Sequence, residues 1–405
     1  MHDRSHNAGV PRSLWVTNDF PPRVGGAQTY YWQIIQTLDP ADVVIVAPAH
    51  KDAADFDASH PYTVVRTPFT TVWPLPAAER LCERLVREHR LEVLQLGHPL
   101  PAGLLGPWLR RTAGLPYVVF LGGAEITVPG AVPCVARVLG WVLAESSALF
   151  TVSQYTAAQA VRLSGGVARA EVLRPALDVD SYPLTTPEAA VAARARLGIG
   201  GGPLVVCVGR LVPRKGQDTL IEALGGPGLD GIGPDVRLAL VGGGRLGREL
   251  RERAAAAGLA GRVYLPGEVS DDELRLWLQA ADLFAGPSRT RHGGLEVEGY
   301  GIVYAEAALT GLPVIAGRSG GAPEAVDDGV TGYVVDAHGP DELRAALGRL
   351  LAMAPDERRA MGARGRRLAL ARHSPAVAAE RYHDLLRTVA KGVDHRDLTS
   401  GGRPQ

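Results

Sequence analysis

The sequence predicts an α/β protein made of two Rossmann-like, doubly wound domains that face a central cleft. Three observations carry that expectation. Short apolar runs alternate with helical segments along the whole chain, the pattern of parallel βαβ units. The runs are near-continuous in Val, Ile and Leu, as strands covered by helices on both faces must be. At 405 residues the chain exceeds one ordinary core, and a stretch over 183–202, rich in Gly toward its end, divides it into similar halves.

Taken in order, the first half offers strands over 14–17, 42–47, 62–66, 92–96, 117–121 and 149–152. The second offers 204–209, 236–241, 263–265, 283–285, 313–316 and 332–335. The expected organisation is an N-terminal domain over 1–183, a linker over 184–202 and a C-terminal domain over 203–373. A helix over 374–390 packs back on the N-terminal domain, and a polar, disordered tail fills 391–405. Ligands of such sheets bind outside the carboxyl ends of the strands, so the loops there are where chemistry is sought.

Composition narrows the partners. Hydrophobic content of 46% and charged content of 21% are those of a soluble globular chain. Forty-three basic residues balance forty-three acidic ones, so bulk electrostatics give no reason to expect nucleic acid. Three widely spaced cysteines, Cys82, Cys134 and Cys207, suit a reducing compartment and argue against disulfides or a structural zinc. No apolar leader opens the chain and no run approaches ~18 apolar residues, so a cytoplasmic location is expected. Arg80, Arg84, Arg87, His89 and Arg90 crowd one face of a helix over 79–90 whose other face carries Leu81, Leu85 and Val86. With Trp108, Arg110 and Arg111, that face suits peripheral contact with an anionic membrane, the inner face of the plasma membrane; packing on the first domain accounts for it equally. Nothing in the sequence fixes an oligomeric state.

Chemistry concentrates in RTRHGGLEVEGYGIVYAE over 289–306. Gly299 and Gly301 interrupt this segment, so its helix should start near Ile302, with Glu298 in the loop at the mouth and Glu306 one turn inside. Backbone N–H groups at such a mouth attract anions. The carboxylates must grip something else, such as sugar hydroxyls, and a phosphate beside a polyol describes a nucleotide sugar. Upstream, VGRLVPRKGQDTLIEA over 208–223 sets Arg210 and Lys215 at the carboxyl end of the first strand of its half. Two cations there can hold a diphosphate and stabilise it as it departs, or can be solvated surface charges. In NDFPPRVGGAQTYYW, over 18–32, Gly25 and Gly26 close a turn before a helix, where backbone approaches a phosphate or simply turns.

Other patterns weigh less. VGGGRLG over 241–247 matches GxGxxG through Gly242, Gly244 and Gly247, but follows the second strand of its half and reads as a turn lining the cleft. GRSGG over 317–321 fits a nucleophile elbow, with Ser319 served by His338 or His373; alternatively Ser319, Gly320 and Gly321 present amides to phosphate. Asp178 and Asp180 form a DxD at the domain boundary and read as turn formers. No His/Cys/Glu cluster has zinc-ligand spacing, so no metal is expected.

Together, NDFPPRVGGAQTYYW, VGRLVPRKGQDTLIEA, RTRHGGLEVEGYGIVYAEA and GLPVIAGRSGGAPEAV resemble glycosyltransferase family 4, the retaining enzymes of the GT-B fold. Within it they look most like the GDP-mannose-dependent phosphatidylinositol-mannoside mannosyltransferases, from about Leu14 to about Arg387. The resemblance implies a nucleoside diphosphate sugar, GDP-mannose, as donor substrate, no required cofactor, and a hydroxyl acceptor bound by the N-terminal domain. That acceptor is a phosphatidylinositol mannoside, or a small polyol or natural product. On matching positions, Arg210 and Lys215 hold the donor diphosphate and Glu298 contacts the sugar hydroxyls; these three form the catalytic set. Amides of Gly299, Tyr300, Gly301, Ile302 and Val303 lie near sugar and phosphate, Glu306 binds the ribose, and Gly25 and Gly26 close over the phosphates. Glu125, Gln28 and Tyr30 are assigned to the acceptor side. The departing diphosphate assists acceptor deprotonation on the same face, hence retention.

The chain departs from the pattern in one place. Many relatives carry a His in an HGxE-type loop after the fifth strand; here the letters are LGGAEI, with Gly122 in that place and only Glu125 matching. An altered donor or acceptor follows. Competing readings are a sugar-nucleotide epimerase, a hydrolase acting through Ser319, and a non-catalytic nucleotide-sugar binding module.

Overall fold

The computed structural model describes residues 9–225, 233 and 235–392. The described residues up to Ala176, with those from Ala376 onward, form one compact unit, and Leu177–Pro375 form the other. The division falls before position 183 because Leu177 and Tyr182 are buried in the second unit's core.

The first unit holds a seven-stranded sheet in the order β3-β2-β1-β4-β5-β6-β7. Its strands are β1 (Ser13–Val16), β2 (Val43–Pro48), β3 (Thr63–Thr67), β4 (Val93–Leu96), β5 (Tyr117–Leu121), β6 (Ala148–Thr151) and β7 (Ala170–Val172), and every pairing is parallel. β1, β2, β4, β5 and β6 are buried at every position, which is why their letters are nearly all apolar. β7, three residues at the sheet edge with Arg169 paired to Glu171, has no apolar run to announce it. Gln95, a polar residue fully buried in β4, receives a hydrogen bond from the Tyr382 hydroxyl (2.9 Å). The helix Pro375–Ala390 that carries Tyr382 is thereby tied into this unit, with Arg381 3.4 Å from Glu171.

The second unit holds a six-stranded parallel sheet in the order β10-β9-β8-β11-β12-β13. Its strands are β8 (Leu204–Val208), β9 (Arg237–Val241), β10 (Val263–Gly267), β11 (Leu283–Gly286), β12 (Val314–Gly317) and β13 (Gly332–Val335). Each sheet reverses its winding once, between β1 and β4 in the first and between β8 and β11 in the second. The loops leaving those strands flank the crevice where such folds take ligands.

The segment expected to be a linker over 184–202 is instead part of the second unit. It contains the helix Pro187–Leu197, capped by the Thr186 side chain on the Ala189 amide and ended at Gly198. Ala193 is buried, and Arg194 reaches the Ala280 carbonyl (2.8 Å) and Asp282 (2.5 Å). The run EAAVAARARL is a strong helix former, and the glycines that suggested a linker only stop it. The tail expected over 391–405 lies, from 393 onward, outside the described residues. Among the described residues no helix is long and apolar enough to cross a membrane.

Candidate active site

In the second unit the loops after β8 and β11 meet around a buried charge cluster. Lys215 closes the short 3-10 turn Pro213–Lys215, and its Nζ lies 2.7 Å from Glu298 Oε2. Arg214 puts NH1 2.9 Å from the same oxygen, and Ser288 Oγ donates to it at 3.2 Å. The Glu298 side chain is 9% exposed, against 12% for Lys215 and 20% for Arg214. Burial pushes the Glu298 carboxyl up, but the Lys215 ammonium and the Arg214 guanidinium outweigh it and hold the group below its ordinary value. Arg289 braces the two loops, with its amide on the Arg214 carbonyl (2.8 Å) and its guanidinium on Asp218 (2.6 Å). Gly209, at φ +146, holds a backbone conformation that a side chain would strain, and it sits beside the Lys215 side chain. Arg210 is exposed on the same loop and makes no ion pair among the described residues. Its neighbour Arg214 escaped sequence reasoning because, in the letters PRK, nothing says which cation turns inward.

The helix Ile302–Leu309 starts where the glycine pattern predicts, with Gly301 at φ +81 as its N-cap. A side chain there would strike the Tyr304 ring. The first-turn amides, those of Ile302 and Val303 among them, have no intrahelical acceptor. Gly299 and Tyr300 lie just before the turn, and the buried Tyr300 hydroxyl meets His373 Nε2 at 2.7 Å. Glu298 and Glu306 do not share a partner. Glu306 faces Tyr182, whose hydroxyl donates to Oε1 at 3.0 Å. Burial pushes the Glu306 carboxyl up to about 7, with the Tyr182 bond pulling the other way.

The remaining motifs of this unit resolve as scaffold. Ser319 Oγ lies 3.2 Å from Thr290 Oγ1 and accepts from the Glu298 amide (3.3 Å), while Gly321 N donates to the Glu298 carbonyl (2.9 Å). The elbow pattern therefore holds the Glu298 loop. Two of its three amides, Ser319 on Gly317 and Gly321 on Glu298, are already spent and are not offered to a phosphate. His338 does not serve Ser319: its ring nitrogens contact Asp336 (2.7 Å) and the Thr290 carbonyl (2.9 Å). Gly242 and Gly244 pack against the backbone of Gly209 and Leu211, a turn supporting the Arg210 loop. Asp178 accepts from Ser181 Oγ (2.6 Å) in a 3-10 turn. Among the described residues no group of three or more His, Cys, Asp or Glu could hold a metal ion.

In the first unit, the loop after β1 is fastened by polar contacts. Asp19 accepts from Gln28 Nε2 (2.7 Å) and sits 2.8 Å from His98 Nε2, which projects from the loop after β4. The His98 hydrogen bond is the main reason the Asp19 carboxyl is held below its ordinary value. Gly25 closes against the Gln28 side chain, and Gly26 is open. Tyr30, assigned to the acceptor side from sequence, is instead turned inward: it is 6% exposed and its hydroxyl donates to the Leu173 carbonyl (2.7 Å). It lies on the buried face of the helix Gly26–Ile35, with Tyr31, Ile34 and Ile35. Glu125 Oε1 accepts from the amides of Gly122 and Gly123, just ahead of its own helix. Gly122 is exposed, and a Cβ there would clear Glu125 by 3.6 Å, so the position admits a side chain. On the helix Pro76–His89, Cys82 and Leu85 face inward while Arg80, Arg84 and Arg87 are exposed; Phe69, Trp73 and Leu75 stand exposed just ahead of it.

Residues 24–181 match the family described as Glycosyltransferase Family 4, and residues 192–368 the family described as Glycosyl transferases group 1. The chain is 42% identical over 363 residues to a GDP-mannose-dependent alpha-(1-6)-phosphatidylinositol monomannoside mannosyltransferase of Mycolicibacterium smegmatis, across 88% of this chain and 93% of that protein. It is 37% identical over 383 residues to a GDP-mannose-dependent monoacylated alpha-(1-6)-phosphatidylinositol monomannoside mannosyltransferase of Corynebacterium glutamicum, across 93% and 98%. Among solved structures, Anabaena HepE in complex with UDP has a TM-score of 0.77 at 22% identity, over 93% of this chain and 100% of that one, a likeness of fold.

Proposed function

The chain belongs to glycosyltransferase family 4 and has the GT-B architecture of two Rossmann-like domains; from that premise we propose that it moves mannose from GDP-mannose to a hydroxyl of a phosphatidylinositol mannoside, with retention. One observation carries the reading: the buried Lys215–Glu298–Arg214 cluster at the switch point of the second sheet. With Arg210, three cations accompany one carboxylate, and three minus one leaves two positive charges for the two negative charges of a sugar diphosphate.

The chemistry balances without a strong protein base. The acceptor oxygen bonds to the anomeric carbon as that carbon's bond to the diphosphate breaks, and the hydroxyl proton passes to the departing diphosphate on the same face. Negative charge grows on the leaving group, and Arg210, Arg214 and Lys215 stabilise it there. Glu298 takes donor-sugar hydroxyls, the amides of the Gly299–Val303 stretch receive sugar and phosphate oxygens, and Glu306 takes the ribose. Gly25 and Gly26 leave bare backbone for the phosphates, and Glu125 and Gln28 line the acceptor side. The lipid acceptor of the relatives, together with exposed Phe69, Trp73, Arg80, Arg84 and Arg87, supports docking on the anionic cytoplasmic face of a membrane.

The test is to incubate the protein with GDP-mannose and phosphatidylinositol monomannoside and identify the products. The expected outcome is GDP release matched by a dimannosylated lipid with an α-linkage. Release of free mannose, or conversion of the donor to another sugar nucleotide, would overturn it.

A further inference from the structure

We propose that Tyr182 is a positioning residue of the donor site, orienting the Glu306 carboxylate toward the nucleotide ribose. The inference rests on the reading of Glu306 as the ribose contact. Tyr182 follows the 3-10 turn Val179–Ser181 near the start of the second unit, and the chain around it is pinned. The Leu177 amide donates to the His373 carbonyl (2.9 Å), and Arg366 NH1 donates to the Tyr182 carbonyl (2.6 Å). The ring is 7% exposed, so the hydroxyl has one direction to point, and it points at Glu306 Oε1. Among the described residues Tyr182 alone donates a hydrogen bond to that carboxylate, which leaves Oε2 for a ligand.

The surroundings show what the contact does. Asp271 and Arg275, both from the helix Asp271–Ala280, act on Glu306 with opposite signs. From the helix Pro355–His373, Arg366 is engaged with the Tyr182 and Leu309 carbonyls, and His373 meets Tyr300. Among the described residues no cation is therefore in contact with Glu306, and burial pushes its carboxyl up to about 7. A ribose presents two vicinal hydroxyl donors, which a carboxylate accepts and a protonated carboxyl accepts poorly. Donor binding must then weaken as pH falls through the carboxyl's transition, by up to ~10-fold per pH unit for one required deprotonation. The Tyr182 hydrogen bond opposes that loss by stabilising the ionised form.

The experiment is a calorimetric titration of GDP-mannose, whose diphosphate has no proton to lose near neutrality, between pH 5.5 and 8.5. Wild type, Tyr182→Phe and Glu306→Gln are compared, and each titration is repeated with the 2′-deoxy donor. Wild-type affinity should rise through pH 7 and level off. Tyr182→Phe, which keeps the ring in the core, should shift that rise to higher pH and weaken binding roughly 10-fold at pH 7, from the typical worth of a charge-assisted hydrogen bond. The deficit should shrink with the 2′-deoxy donor, which a general loss of structure would not produce. Tyr182→Phe with the wild-type profile, beside a weakened Glu306→Gln, would overturn the role of Tyr182 alone. Glu306→Gln binding like wild type would overturn the ribose reading itself.

Discussion

The two sheets reverse their winding in the same way but equip the crevice differently. After β8 and β11 the second unit carries Arg214 and Lys215 around one buried carboxylate, with Arg210 exposed on the same loop. After β1 and β4 the first carries Asp19 bonded to His98 and Gln28, half-buried and, among the described residues, without an ion-paired Lys or Arg, although Arg23 adds a weaker attraction. One topology thus supplies two chemistries. A cationic crevice with a carboxylate to keep it in order suits a leaving diphosphate, whereas hydrogen-bonding groups without excess positive charge suit hydroxyls. The fold supplies the position and the loops supply the specificity.

The sharpest way to break this comparison is to remove the cation it leans on. Lys215→Met should lower kcat by about 10²–10³, the usual cost of deleting one preorganised charge-stabilising donor. Measured in steady state with saturating donor and acceptor, a loss under tenfold would mean that the second crevice does not carry the diphosphate.

Next in size is a pH effect that separates two carboxylates of the same loop and helix. Glu306 is raised from 4.5 to about 7 in the folded protein, so its protonation stabilises the fold fully below pH 4.5, and that contribution is lost as pH rises through 7. Glu306→Gln should therefore gain stability over wild type at pH 8, by up to roughly 3 kcal/mol, and gain nothing at pH 4.5. Glu298 has the opposite sign: held below its ordinary value by Lys215 and Arg214, it adds stability above that value and loses it as pH falls. Urea denaturation at both pH values reads the difference, and equal gains at both would contradict the assignment.

On the first crevice the effect is smaller. Glu125→Gln should reduce turnover with the glycolipid about tenfold while leaving donor affinity unchanged, the signature of one lost acceptor-side contact. Unchanged turnover would remove Glu125 from the acceptor side. Smallest is Ser319→Ala: it frees one hydrogen bond under Glu298, so transfer should fall about fivefold at most. Complete loss would revive a nucleophilic serine.

How much of this was legible in the letters depends on the range of the interaction. The central strands and the start of the helix at Ile302 follow from local pattern, because continuous burial writes continuous apolar runs and Gly301 writes a stop. Lys215 and Glu298 were legible as a pair of loops at strand ends. Their direct contact, across 83 positions, was not, since the register of β8 against β11 decides it. Tyr182 with Glu306 and Asp19 with His98 are distant pairs of the same kind, set by packing. Tyr30 turns inward because packing sets which side of the helix Gly26–Ile35 is buried, and the letters GGAQTYYW do not show it. GRSGG shows the converse: the local elbow pattern is satisfied, but the partners of Ser319 are Glu298 and Thr290 rather than a histidine.

The central claim is that the cations after β8 bind the diphosphate of the donor. Titrating GDP and GMP into wild type and into the Arg210→Ala/Lys215→Met double variant isolates the terminal phosphate. The account predicts that wild type prefers GDP by about 100-fold or more, the scale of two charge-assisted contacts, and that the double variant barely distinguishes the two. A preference for GDP that survives in the double variant would contradict it.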